Sequence, residues 1–235
     1  IIGAGRFGKY LQTLIYHCTL NEVRLYDPLA GYCSLDAFVN SDLIIYCVPI
    51  RNLEKAIEET RNFISPEAEV SHICSVQAYP NLLLARNFYK VSACHPLFGP
   101  QSCPILPNKD FSLEGATVAI TKRGVLLEDL WEEIWFHVDV NILHIAPEEH
   151  DRQAATQALT HFIGRGAARA NYNQTVQTST KTHEDLVSII NKVEGNSYEL
   201  FEDMFRYNPC AVQARKQLLQ SFIELNQKLS ANETA

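Results

Sequence analysis

An α/β fold, with a doubly wound parallel sheet followed by an all-helical domain, is predicted by three features of this 235-residue chain. Short apolar runs alternate with amphipathic stretches over residues 1–145, a glycine-rich turn opens the chain, and after Pro147 no strand-like run recurs. In order, strands are expected at 23–26, 43–48, 70–76, 89–94, 116–120 and 138–145. Between them, 10–18 places Leu11, Leu14, Ile15 and Cys18 on one helical face, and 52–63 and 125–136 carry the same spacing. Pro147 suits a first helical position, with Glu148 and Glu149 in the turn where the helix dipole favours negative charge. Asn208-Pro209 repeats the device as cap and first residue of a helix running through Leu218, Leu219, Phe222, Ile223 and Leu225. The small residues Gly164, Gly166, Ala167 and Ala168 mark close helix packing. The expected domains are 1–145 and 146–235. A helical domain this small buries its apolar stripes poorly alone, so a homodimer through it is expected.

Composition excludes several classes. A hydrophobic content of 46% supports a substantial core, and a formal charge of -7 disfavours a general nucleic-acid surface. The longest apolar run, 43–50, is far short of the roughly 20 residues that span a bilayer, so no membrane partner and a cytoplasmic location are expected. Only two residues precede the glycine turn where a strand of about five is expected, so residues upstream of Ile1 are inferred. The seven scattered cysteines lack C-x-x-C pairs and read as reduced, mostly buried thiols, with no metal site.

The opening Gly3-Ala4-Gly5-Arg6-Phe7-Gly8 has the G-x-G-x-x-G spacing, follows apolar residues and precedes an amphipathic helix. Gly3 permits the tight turn, Gly5 lets backbone approach a pyrophosphate, and Gly8 permits close helix packing. Arg6 and Phe7 fill the variable positions at the helix start. Asp27, about 20 residues on, would accept hydrogen bonds from ribose hydroxyls and repel a 2′-phosphate. A Rossmann-like domain selecting NAD over NADP follows, with Val48-Pro49 at the end of a strand beside the same cofactor. His95 ends an apolar run and is pinned by Pro96. A neutral imidazole at the C-terminal end of a sheet strand can take a hydroxyl proton. In the first helix after Pro147, His150, Ala154, Gln157 and His161 fall on one face expected to line a cleft. His150 and His161 lie about 16 Å apart along the axis, which argues against a shared metal.

Taken together, Gly3 to Gly8, Cys74-Ser75-Val76-Gln77, His95-Pro96-Leu97-Phe98-Gly99-Pro100, Glu149-His150-Asp151-Arg152 and Gln157-Ala158-Leu159-Thr160-His161-Phe162 resemble the prephenate/arogenate dehydrogenases. The resemblance implies an NAD-binding domain, a helical substrate and dimerisation domain, and oxidative decarboxylation of prephenate to 4-hydroxyphenylpyruvate in tyrosine biosynthesis. Arogenate is the neighbouring substrate. It further implies His95 as base, Ser75 at the substrate hydroxyl, and His150 shaping the pocket, with Gln77, Gln157, His161 and Lys192 toward the substrate. The chain departs from the family at Gln77, where lysine is usual, and at Lys192, where an arginine usually grips a carboxylate. Lys181 or Arg206 could serve instead. Both departures weaken recognition of a dianion. A dinucleotide-binding dimer that has lost catalysis is the reading from another class. A general hydroxyacid dehydrogenase would need a later helical lysine that the sequence does not place.

Overall fold

The computed structural model describes residues 1–105, 112–172, 174 and 176–233. It divides into two compact units, Ile1–His150 and Asp151–Ala235.

In the first unit Ile2 forms parallel bridges to both Tyr26 and Tyr46, so the opening residues are the middle of the sheet. β1 (Leu43–Tyr46) pairs in parallel with β2 (Glu69–His72), and Val70 bridges in parallel to Val91 at the approach to β3 (Ala93–Pro96). β4 (Thr117–Lys122) runs antiparallel to β3, and β5 (Asn141–His144) is parallel to β4. Among the described residues no crossover helix lies between β3 and β4, and antiparallel pairing needs none. The last two strands therefore oppose the parallel part of the sheet.

Strand alternation places helices on both faces. Ile45, Cys94, Val118 and Ile120 share a core with α1 (Arg6–Cys18) and α4 (Val125–Val138), through Leu11, Leu14, Leu127, Trp131 and Ile134. Tyr46 points the other way, bonding Thr60 of α2 (Ile50–Thr60) through its hydroxyl at 2.8 Å and packing near Phe88, which follows α3 (Ala78–Asn87). Gly124 gives α4 no capping side chain. Buried Glu69 supplies the cap from β2, accepting from the Leu126 and Leu127 amides at 3.0 Å each.

The helical unit holds most of α5 (Pro147–Arg169), with α6 (Lys181–Glu194), α7 (Tyr198–Arg206) and α8 (Pro209–Glu233). Its core joins Ala155 and Ala158 of α5 to Met204, Phe205 and Ala211. Asn208 caps α8, accepting from the Cys210 and Ala211 amides while donating to the Asp151 carbonyl at 2.7 Å. A Cβ on Gly164 would lie 2.5 Å from Val193, so α5 and α6 pack closely there, whereas Gly166 faces open space. Arg165 donates to the Val193, Asn196 and Ser197 carbonyls and lies over Phe201 at 5.2 Å, holding α5 to the α6–α7 junction. Among the described residues no helix is long and apolar enough to cross a membrane.

Candidate active site

The glycine turn is built as its spacing requires. Gly3 sits at φ 103, and a Cβ there would fall 2.6 Å from the Cys47 carbonyl oxygen and 3.0 Å from Val48, which lines the same turn. A Cβ on Gly8 would meet the Gly3 carbonyl oxygen at 2.0 Å. Gly5 is different: its φ of -68 suits any residue, and a Cβ would meet nothing within 4 Å. The space over Gly5, at the amino end of a 13-residue helix, is the kind of cradle a pyrophosphate takes. Asp27 closes it. Its Oδ2 accepts from the Ala4 amide at 2.8 Å, and its Oδ1 from those of Leu29 and Ala30 at 3.2 and 3.3 Å. The carboxylate is thus fixed against the turn, where a ribose hydroxyl would reach it. These residues fit a dinucleotide. Arg6 is exposed at the helix start, and Pro49 is exposed at the N-cap of α2.

His95 lies one residue before the end of β3, opposite Ala119, and is 8% exposed. The segment that follows runs to the glycine turn: a Cβ built on Gly99 would touch the Phe7 ring at 3.7 Å, and Phe98 packs edge-on to Tyr10 of α1. The segment that follows His95 therefore packs beside the helix that the glycine turn opens. His150, in the first turn of α5, meets His95 with Nε2 3.0 Å from Nδ1, the rings 70° apart. No hydrogen bond to His95 Nε2 is found among the described residues. Burial, with smaller contributions from His150 and His72, pushes the His95 imidazole down from its ordinary 6.5 to about 3. It is neutral throughout the physiological range.

That depression has a consequence for stability. The unfolded chain binds a proton that the folded chain refuses, so the stabilisation is complete above about pH 6.5 and is lost as pH falls toward about 3. The slope is at most about 1.4 kcal/mol per pH unit. Urea midpoints between about pH 7 and pH 4 are expected to fall less steeply in His95→Asn than in the wild type. Parallel curves would contradict the assignment.

Ser75 is half-buried in the loop after β2. β2 stops at His72, short of the expected 76, because loop groups bond side chains instead of a neighbouring strand: the Cys74 amide donates to His72 Nδ1, and the Cys74 carbonyl accepts from Gln77. Gln77 requires a correction. Expected to touch substrate, it is 0% exposed, with Nε2 donating to the Cys74 and Cys94 carbonyls and Oε1 accepting from Thr121. An amide so engaged presents nothing to a ligand. The polar stripe expected on α5 also divides. Ala154 is buried, Gln157 is exposed and His161 is half-buried, while the inward face of the helix carries Ala155 and Ala158. Burial, with Arg165 nearby, pushes the His161 imidazole down. Lys192 is exposed on α6. These side chains belong to the helical unit and are described within it alone. The reading missed His72, Asn81 and Thr121, polar groups within apolar surroundings whose only sequence signal is that they interrupt the run. No cluster of metal-ligating residues occurs among the described residues.

Comparison with known proteins agrees with this architecture. The profile of a family described as prephenate dehydrogenase, nucleotide-binding domain, matches residues 27–131, and one described as TYRAAT1-like, C-terminal domain, matches residues 170–235. Arogenate dehydrogenase 1, chloroplastic, of Arabidopsis thaliana is 25% identical over 247 residues, covering 97% of this chain and 38% of its own length. Arogenate dehydrogenase 2, chloroplastic, of the same plant is 24% identical over 250 residues, covering 97% and 69%. The chain thus spans well under half of the first relative. Among solved structures, prephenate dehydrogenase from A. aeolicus in complex with hydroxyphenyl propionate and NAD+ superposes with a TM-score of 0.73 at 15% identity, covering 100% of this chain and 91% of that one. Synechocystis arogenate dehydrogenase gives 0.55 at 17% identity, covering 84% and 75%. The structural likeness establishes the fold.

Proposed function

We propose that the chain is a member of the prephenate/arogenate dehydrogenase family and that it oxidatively decarboxylates a cyclohexadienol of the prephenate–arogenate class with NAD. The observation that carries the reading is the contact of His95 with His150 at the end of β3, on a segment packed against the glycine-turn helix. NAD supplies the hydride acceptor. Gly3, Gly5 and Gly8 shape its cradle, Asp27 selects it over NADP, and Val48 and Pro49 flank the turn. In the tautomer in which His95 Nδ1 donates to His150 Nε2, the His95 Nε2 lone pair is left to take the proton of the ring hydroxyl. A base already stripped of water and held in one tautomer needs no reorganisation as the hydroxyl carbon is oxidised. Ser75 hydrogen-bonds the same hydroxyl, and loss of the ring carboxylate as carbon dioxide makes the product aromatic.

Prephenate is the first reading. Arogenate is favoured by the names of the two plant relatives. The side chains of Leu219, Phe222, Ile223, Leu225 and Leu229 on α8, each 43% to 58% exposed, support assembly as a homodimer through the helical unit. The test is NADH formation from each compound by the purified protein, with its mass determined by sedimentation. Turnover of one or both by a dimer is expected. A folded, NAD-binding protein that oxidises neither would establish the binding-only alternative, and a single-chain mass would remove the dimer.

A further inference from the structure

The buried polar groups around the end of β3 form a closed circuit. The Cys74 amide donates to His72 Nδ1 at 3.2 Å. That nitrogen is thereby unprotonated, so Nε2 carries the ring proton and donates to Asn81 Oδ1 at 2.9 Å. Asn81 Nδ2 donates to the Thr121 hydroxyl at 3.3 Å, and the Thr121 hydroxyl donates to Gln77 Oε1 at 2.5 Å. Gln77 Nε2 returns to the Cys74 carbonyl at 2.5 Å, and its second proton reaches the Cys94 carbonyl at 3.1 Å. Every proton runs in one direction, and each bond polarises the next. The circuit joins β2, the loop carrying Ser75, α3 and β4, and an arm of it falls on the peptide that precedes His95.

We propose that Gln77 is a positioning residue, whose amide ties the Ser75 loop to the strand end that carries His95 and so sets the spacing of the two groups around the substrate hydroxyl. Geometry makes Gln77 suited to this: Cys74 and Cys94 belong to different segments, and only a side chain with two donors on one atom bridges both carbonyls while a third group accepts from Thr121. Removing it leaves both carbonyls and the Thr121 hydroxyl to find other partners within a closed space. His72 would lose its fixed tautomer, although it sits close enough to His95 to depress its proton affinity.

The inference rests on the proposed dehydrogenase reading, and its test separates the two. Gln77→Met keeps the length but removes the donors. Gln77→Lys restores donors for the Cys74 and Cys94 carbonyls, the bridge between the two segments, and leaves the Thr121 hydroxyl to turn to another acceptor. The Met variant is expected to keep NAD affinity within about twofold and to lose turnover by about tenfold to a hundredfold, a misplacement effect, with the Lys variant recovering most of it. Histidine ring nitrogen NMR supplies a readout independent of activity: the protonated Nε2 of His72 is expected in the wild type and its pattern lost in the Met variant. Unchanged turnover and unchanged ring resonances in Gln77→Met would overturn the proposal, as would failure of the Lys variant to recover either. Wild-type protein that turns over neither compound, yet shows the expected ring resonances, would overturn the dehydrogenase reading alone.

Discussion

Replacing His95 by asparagine is expected to lower turnover by a factor of about 100 to 10,000 while NAD affinity stays unchanged. The size follows from what is removed. Hydride leaves a carbinol carbon readily only if the hydroxyl proton leaves with it, and His95 Nε2 is the base assigned to that proton. Asparagine fills much of the ring's space and can still hydrogen-bond His150, so the end of β3 should hold its course. The segment after His95 meets Phe7 through Gly99, four residues on from the imidazole, which is why cofactor binding should survive the change of ring. Turnover and NAD binding measured on the same preparation decide the matter. Equal rates for the variant and wild type would remove His95 from the chemistry. Loss of NAD affinity in proportion to turnover would make it a structural residue.

The second large effect separates two glycines of the same motif. Gly3→Ala is expected to destabilise the fold by about 3 kcal/mol, because strain at a left-handed φ and overpacking each cost about 1–3 kcal/mol. The added methyl would sit 2.6 Å from the carbonyl oxygen of Cys47, whose own amide donates to the Ile2 carbonyl, and backbone cannot step aside as a flexible side chain does. Gly5→Ala should change stability by no more than about 0.5 kcal/mol, since its φ is ordinary and its Cβ would meet nothing. It should nevertheless weaken NAD binding, because that open space is the proposed pyrophosphate cradle. Denaturant titration and NAD binding on the two variants test this pair. If Gly5→Ala binds NAD as the wild type does, the cofactor does not cross the turn there.

How much of this was legible in sequence depends on the range of the interactions involved. Leu11, Leu14, Ile15 and Cys18 announced α1 because a helix that buries one face must repeat its apolar residues at helical spacing. Pro147 and Asn208-Pro209 announced α5 and α8 because caps are local chemistry, settled within a few residues. Gly3 and Gly8 were readable for the same reason: the close approaches they allow occur within one turn of chain and its neighbouring strand. What could not be read lies in contacts between segments distant in sequence. Glu69 caps a helix that starts 56 positions later, judged from Val125 as its first residue. Thr121 accepts from Asn81 and donates to Gln77, and nothing periodic links the three. Gln77 itself was read outward, toward substrate, because its place in the motif is a ligand-facing one in the family. The carbonyls of Cys74 and Cys94 and the hydroxyl of Thr121, placed by the fold, turn it inward.

The central claim is that a neutral His95 accepts the proton of the hydroxyl whose carbon is oxidised. The most direct measurement is a crystal structure with NAD and the aromatic product 4-hydroxyphenylpyruvate bound. The phenolic oxygen is predicted to lie within about 3 Å of His95 Nε2, with His150 still on Nδ1. A phenolic oxygen bound out of hydrogen-bonding reach of His95, with another side chain in its place, would contradict the account.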